Sequence, residues 1–197
     1  MIICASLVLF MTAPGLALFY GGMSRAKSVL NMMMMSFGAF GLVGILYVLY
    51  GYSMSFGPTD VAGIIANPFD KLGLKGTDGL INPFGYEGYG NIPELIFVGF
   101  QLTFAAITVA LISGAVADRV KFSTWLVFSG LWMTLAYVPI AHMVWGGGLL
   151  SSSEDGLSAM IFGATDGVAD VVPIDFAGGT VVHINAGIAG LVLALVV

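Results

Sequence analysis

The sequence predicts an all-α integral membrane protein of five transmembrane helices, and three observations carry the prediction. The chain has 197 residues, 58% hydrophobic and only 9% charged, with a mean hydropathy of +1.00. Soluble domains carry about 25% charged residues, and a chain this poor in charge cannot cover a globular surface with polar groups, so lipid is its solvent. The apolar residues fall into five runs, each long enough for the roughly 20 residues that a helical span requires. Finally, the 28 glycines suit helices that pack in lipid, where small residues let backbones approach. Ala106, Ala110 and Gly114 recur at i, i+4 spacing, as do Ala186 and Gly190.

The first span covers residues 1–22 and holds Pro14 and Gly15, which transmembrane helices tolerate. It lacks the basic n-region of a cleaved signal. Cys4, the single cysteine, rules out an intrachain disulfide and is expected to be a small packing residue. Arg25 and Lys27 follow in a short loop without acids. The second span covers 29–56; Met32 to Met35 are expected as adaptable core, and Tyr47, Tyr50 and Tyr52 as anchors at a membrane–water interface. Residues 57–91, rich in Gly, Pro, Asn and Asp, read as a long loop.

The third span covers 92–117, with Pro93 well placed at a helix start. Asp118, Arg119 and Lys121 make a short charged turn. The fourth covers 122–150, closing with Trp145 and glycines 146–148. A second loop, 151–173, carries Glu154, Asp155, Asp166 and Asp170 and no basic residue. The fifth span covers 175–197.

Basic residues in short loops favour the cytoplasmic side. Loops 1–2 and 3–4 hold Arg25, Lys27, Arg119 and Lys121, whereas Lys71 and Lys75 lie in a long loop where the rule is weak. The expected orientation is N-terminus outside and residue 197 inside. An odd number of spans ending at Val197 predicts one of two inverted-topology repeats, a common plan of transporters, and so a longer native product. Because the chain opens inside an apolar run, part of the N-terminus is also expected to be missing.

Four elements could carry chemistry. Phe97, Phe100 and Phe104 share one face of the third span, because positions three and four apart are neighbours on a helix; taken alone they read as packing aromatics. Trp145 precedes three glycines that let a ligand approach backbone and ring. Its indole is the best cation–π surface, worth about 2 kcal/mol or more when desolvated. Asp175 stands at a helix start and reads first as an N-cap for the free amides of the first turn.

His183 is the only ionisable group inside the last apolar run. Counted from Asp175 it lies about 12 Å down a helix, near mid-membrane, where ionisable groups face a pathway or a partner. Burial there favours a neutral imidazole, which both donates and accepts a hydrogen bond. His142, nearer the outer end of the fourth span, is expected to be a polar interfacial residue.

Together these residues resemble the ammonium transporter family (Amt/Mep/Rh). The matching stretches are LFYGG at 18–22, FAAITVALISGAVADR at 104–119, YVPIAHMVWGGG at 137–148 and DFAGGTVVHINAGIAG at 175–190. The resemblance implies an eleven-helix fold of two inverted five-helix repeats, assembled as a homotrimer with one pore per subunit, of which this chain matches the first repeat. It implies that Trp145 and Phe100 form an outer recruitment site for ammonium, that Phe104 closes the pore beneath it, and that His183 is the first of two pore histidines. Asp175 supports the outer site, and Phe19 and Tyr20 match positions near the inner pore. The second repeat, with the twin histidine, the second gate phenylalanine and a recruitment-site serine, is absent from this sequence.

The function so implied is ammonium/ammonia transport, with the cation recruited, deprotonated and passed along a histidine-lined apolar pore. An ammonium sensor of the same fold is the alternative. A small aromatic cup disfavours bulky cations and leaves methylammonium as a second substrate. A PII-type signal protein at the cytoplasmic face is implied by the resemblance alone. No cofactor or nucleic-acid partner is expected, and no metal cluster, nucleotide loop or nucleophile–base pair points to an enzyme.

Overall fold

The computed structural model describes residues 1–83 and 90–197. Residues 84–89, part of the long loop expected between the second and third spans, lie outside the described residues. Among the described residues, five helices are long and apolar enough to cross a membrane: Ile2–Met23, Ala26–Phe56, Glu94–Val116, Phe122–Trp145 and Gly179–Val196, here called the first to fifth spans. The third is the most enclosed, packing on the first, second and fifth, while the second packs on the first, third and fourth.

Small residues bring these helices together as the i, i+4 pattern requires. Ala106 and Ala110 are fully buried, and a Cβ on Gly114 would lie 2.9 Å from the ring of Tyr20. Tyr20 donates its hydroxyl to the Leu111 carbonyl at 2.8 Å, tying the first span to the third. Trp125 donates to Met35 O at 2.8 Å, and Trp132 donates to Asn185 Oδ1 at 2.9 Å, tying the fourth span to the second and fifth.

Four spans contain a π-helical turn: Met11–Leu16 around Pro14, Tyr47–Gly51, Met133–Tyr137 and Gly179–Ile184. Proline explains the first, since it removes an amide donor from the helical ladder.

Two helix ends differ from expectation. The fourth span stops at Trp145 rather than 150, because Gly147 turns the backbone to φ +89° and Gly148 folds its amide back onto His142 O at 3.1 Å. The fifth begins at Gly179 rather than 175. Gly178 takes φ +86°, where a side chain would also meet Val182 at 2.4 Å, so only glycine fits the turn into this helix.

The environment of several side chains is corrected as well. Tyr47 and Tyr52 are buried core residues rather than interfacial anchors. The loop after the second span folds back over them, so the helix end they occupy is capped by protein. Cys4 is exposed, not packed, because the first span turns only a narrow strip toward its neighbours. Met32 and Met35 do lie in the core, whereas Met34 points outward.

Both long loops carry local structure that fastens them to helix ends. In the first, Asp60–Val61 pairs with Ile65–Ala66, and Leu80–Ile81 pairs with Ile92–Pro93 just before the third span. Lys71 reaches the buried carboxylate of Glu94, which also accepts the Tyr52 hydroxyl at 2.7 Å. A charge withdrawn from water in this way needs such partners. In the second loop, helix Leu157–Phe162 precedes a hairpin of Ala164–Thr165 with Val168–Ala169.

Candidate functional site

The aromatic residues singled out from the sequence meet where the N-terminal part of the third span lies beside the C-terminal end of the fourth. One helical turn separates Phe100 from Phe104, and their rings meet edge to face at 4.9 Å. Phe104 in turn meets Trp145 edge to face at 5.7 Å. Such tilted pairs are favoured by the ring quadrupoles. They line a pocket of about 270 Å³ together with Phe97, Gln101 and Asp175. Phe104 is the innermost ring, almost enclosed, while Phe100 keeps partial exposure.

Trp145 is held from two sides. Its Nε1 donates to the backbone carbonyl of Asp175 at 2.7 Å, which joins the end of the fourth span to the approach of the fifth. Its backbone closes a helix end whose last turn is built on His142 O, which accepts from Gly146 N at 2.9 Å and Gly148 N at 3.1 Å.

Asp175 caps the fifth span with both carboxylate oxygens. Oδ1 accepts from the amides of Gly178 (2.6 Å) and Gly179 (2.8 Å), and Oδ2 from those of Thr180 (2.8 Å) and Val181 (3.1 Å). The first amides of a helix have no partner inside it, and here one side chain satisfies four of them from outside the helix. The expected cap is present, reached from three residues before Gly178.

His183 sits differently from expectation. Because the helix starts at Gly179, the imidazole is only four residues in, about 6 Å along the axis instead of ~12 Å. It belongs to the π-helical turn, its amide bonding Gly178 O at 2.9 Å, and such turns recur at functional sites. Its side chain is exposed rather than buried and has no hydrogen bond among the described residues. The exposed strip it occupies continues through Ile184 and Ile188.

His142 departs furthest from the sequence reading. It is 1% exposed, with Nδ1 2.9 Å from Ser55 O and Nε2 2.8 Å from Asp60 Oδ1. Both ring nitrogens are thus engaged, one by the second span and one by the loop that follows it. Asp60 also accepts from Gly63 N at 2.8 Å. The His142 hydrogen bond, followed by the Gly63 amide, holds the Asp60 carboxyl below the usual carboxylate range. The glycines after Trp145 make room for this clasp: a Cβ on Gly146 would meet Ser55 O at 2.1 Å, and one on Gly148 would meet Gly63 O at 2.4 Å.

Gln101 was also missed. It is 7% exposed, lines the aromatic pocket, and its Oε1 has no hydrogen-bond partner among the described residues. Its position, four after Phe97 and three before Phe104 on the same helical face, was the available signal. Phe19 is exposed. Tyr20 lies at the opposite end of the bundle, in a cavity of about 540 Å³ with Arg25 and Asp118.

The model of the Ammonium Transporter Family matches residues 1–197. The chain is 49% identical over 196 residues to an ammonium transporter of Aquifex aeolicus, covering all of this chain and 40% of that protein. It is 50% identical over 207 residues to an ammonium transporter of Mycobacterium tuberculosis, covering 41% of it. Among solved structures it resembles Mep2 of Saccharomyces cerevisiae with a TM-score of 0.73 and 30% identity, over 98% of this chain and 38% of that one. The chain thus spans about two fifths of the length of these relatives. Its five apolar helices and this kinship make it part of a multi-pass membrane protein.

Proposed function

We propose that this chain, which belongs to the Ammonium Transporter Family, forms the first of two inverted halves of a trimeric ammonium transporter. The observation that carries the reading is the continuous Phe100–Phe104–Trp145 cluster on an outer pocket, held in place by Asp175. Ammonium leaving water at this pocket gains attraction from the ring faces, about 2 kcal/mol or more once desolvated. The acidic loop residues Glu154, Asp155, Asp166 and Asp170 raise the local cation concentration.

Phe104 is the gate beneath the recruitment rings. The cation gives up its proton between this gate and His183, and ammonia continues along the apolar path while the proton follows separately or stays behind on the entry side. A neutral imidazole suits that path, since it donates and accepts hydrogen bonds with a small polar molecule. The exposed strip bearing His183 is the face on which the second half packs, supplying the imidazole with a partner. Asp175 acts indirectly, by fixing the start of the fifth span and the indole of Trp145. The short loops with Arg25, Lys27, Arg119 and Lys121 face the cytoplasm, where a PII-type protein docks.

Uptake of labelled methylammonium by the full-length protein tests the reading and separates a transporter from a sensor. Transport is expected, with loss or marked change in His183→Ala and Trp145→Leu. Uptake unchanged in both variants removes both residues from the mechanism, and ammonium binding without uptake points to the sensor.

A further inference from the structure

We infer that Trp132 and Asn185 are positioning residues for His183: the hydrogen bond between them sets the rotation of the fifth span, and with it the side to which the imidazole is turned. This role rests on the proposed reading of His183 as a residue of the ammonia path. Trp132 Nε1 donates to Asn185 Oδ1 at 2.9 Å, joining the fourth span to the fifth just beyond His183. At 3.6 residues per turn, positions two apart lie about 200° apart around a helix. Asn185 is accordingly buried against the bundle, while His183 is exposed on the opposite side.

The rest of that contact is apolar: among the described residues the fifth span buries Val181, Val182, Ala186 and Ala189 besides Asn185. Apolar burial is non-directional, whereas a hydrogen bond weakens steeply as it bends. The Asp175 cap holds the first amides of the helix, so His183 stands between that cap and the Asn185 bond. An indole N–H only donates, so the oxygen end of the Asn185 amide faces it, and Asn185 Nδ2 has no partner among the described residues. The donor ring is itself set in a ladder on the fourth span. Trp132 stacks on Phe128 at 5.6 Å and 20°, and Phe128 on Trp125 at 5.6 Å and 28°. Trp125 is anchored on Met35 O. The ladder thus relates the second span, through the fourth, to the amide of Asn185.

Methylammonium uptake by the full-length protein tests this role, with rates normalised to the amount in the membrane. Trp132→Phe keeps a ring in the ladder and removes the donor, and Asn185→Ala removes the acceptor. Loss of one hydrogen bond between membrane helices should lower the maximal rate about three- to tenfold in either variant and leave KM within about twofold of wild type. KM is spared because the outer rings are held separately, through Trp145 and Asp175. The double variant should be no slower than the slower single one, since both substitutions remove the same bond. If Trp132→Phe fails to reach the membrane, Asn185→Ala decides. A maximal rate within about twofold of wild type in the variant that folds overturns the inference, as do a rise in KM alone and losses that multiply in the double variant. His183→Ala, run in parallel, separates the two levels. If it stops uptake while Trp132→Phe and Asn185→Ala leave uptake unchanged, the positioning role alone is refuted. If uptake is unchanged in His183→Ala, the imidazole is off the path and the proposed reading of His183 fails as well.

Discussion

Replacing Asp60 by alanine should loosen the Asp60–Ala66 hairpin from the end of the fourth span. Two hydrogen bonds disappear, one from His142 Nε2 and one from Gly63 N, both at 2.8 Å. A bond to a charged group contributes about 1.5–3 kcal/mol and a neutral one about 0.5–1.5 kcal/mol. The Asp60 side chain is 51% exposed, so water screens the pair and the lower ends apply, giving about 2 kcal/mol. That is roughly a thirtyfold rise in the open population. Hydrogen–deuterium exchange reads it directly, because Leu149 N donates to Gly63 O across the same junction. Peptides covering 59–66 and 146–150 should exchange about thirtyfold faster in Asp60→Ala, and only severalfold faster in Asp60→Asn, which keeps a neutral acceptor. The pH dependence has a fixed sign. Since the folded-state pKa of Asp60 is lowered, its contribution is complete above the ordinary carboxylate pKa and fades as pH falls through the lowered value. Corrected for intrinsic rates, wild-type exchange should therefore rise only in acid, and that rise should be absent from Asp60→Ala. Exchange in Asp60→Ala within about twofold of wild type at neutral pH would refute the clasp, since even one neutral hydrogen bond is worth more than that.

Three further outcomes follow from the contacts. Asp175→Ala leaves four amides without their acceptor and should cost about 1–2 kcal/mol, seen as faster exchange confined to 178–183 and to the Trp145 end. Tyr52→Phe removes one of two partners of the buried Glu94 carboxylate; a loss of about 1–3 kcal/mol should lower the thermal midpoint in detergent, while Tyr50→Phe, part of an incompletely buried pair with Thr134, should lower it less. Gly114→Ala pushes a methyl to 2.9 Å from the Tyr20 ring, which is anchored on Leu111 O; the expected penalty of about 1–3 kcal/mol should be smaller in the background of Tyr20→Ala, as a double-mutant cycle would record.

The five spans were legible because lipid imposes one rule on every residue of a span, and charge is simply excluded. Contacts among helices were legible only where small residues repeat, as at Ala106, Ala110 and Gly114. Tyr47, Tyr52 and His142 were misjudged for one reason. Each stands near a helix end, and position along a helix does not say whether a loop folds over that end. His142 meets Asp60 across 82 residues of sequence, and Tyr52 meets Glu94 across 42; neither pairing leaves a local pattern. Phe100 and Phe104 were easier, since helical spacing alone puts them on one face. His183 lies nearer the start of the fifth helix than its spacing from Asp175 suggests, because Gly178 delays the helix by taking a left-handed turn.

Asp175 and His142 converge on Trp145. Its indole nitrogen is fixed by Asp175 from the fifth span, and its backbone is fixed through His142, whose ring is gripped by the second span at Ser55 and by the hairpin at Asp60. A cation–π surface is worth most when the ring is desolvated and already oriented. Holding one ring from two helices and a loop supplies that orientation before any cation arrives. Under the proposed function, the clasp beneath His142 bears on recruitment although none of its residues lines the pocket. Loosening it should weaken substrate affinity through Trp145 with Phe104 left in place, so Asp60→Ala should raise KM for methylammonium in the full-length protein without abolishing uptake. An unchanged KM alongside faster hairpin exchange would mean that the Asp175 bond alone orients the indole.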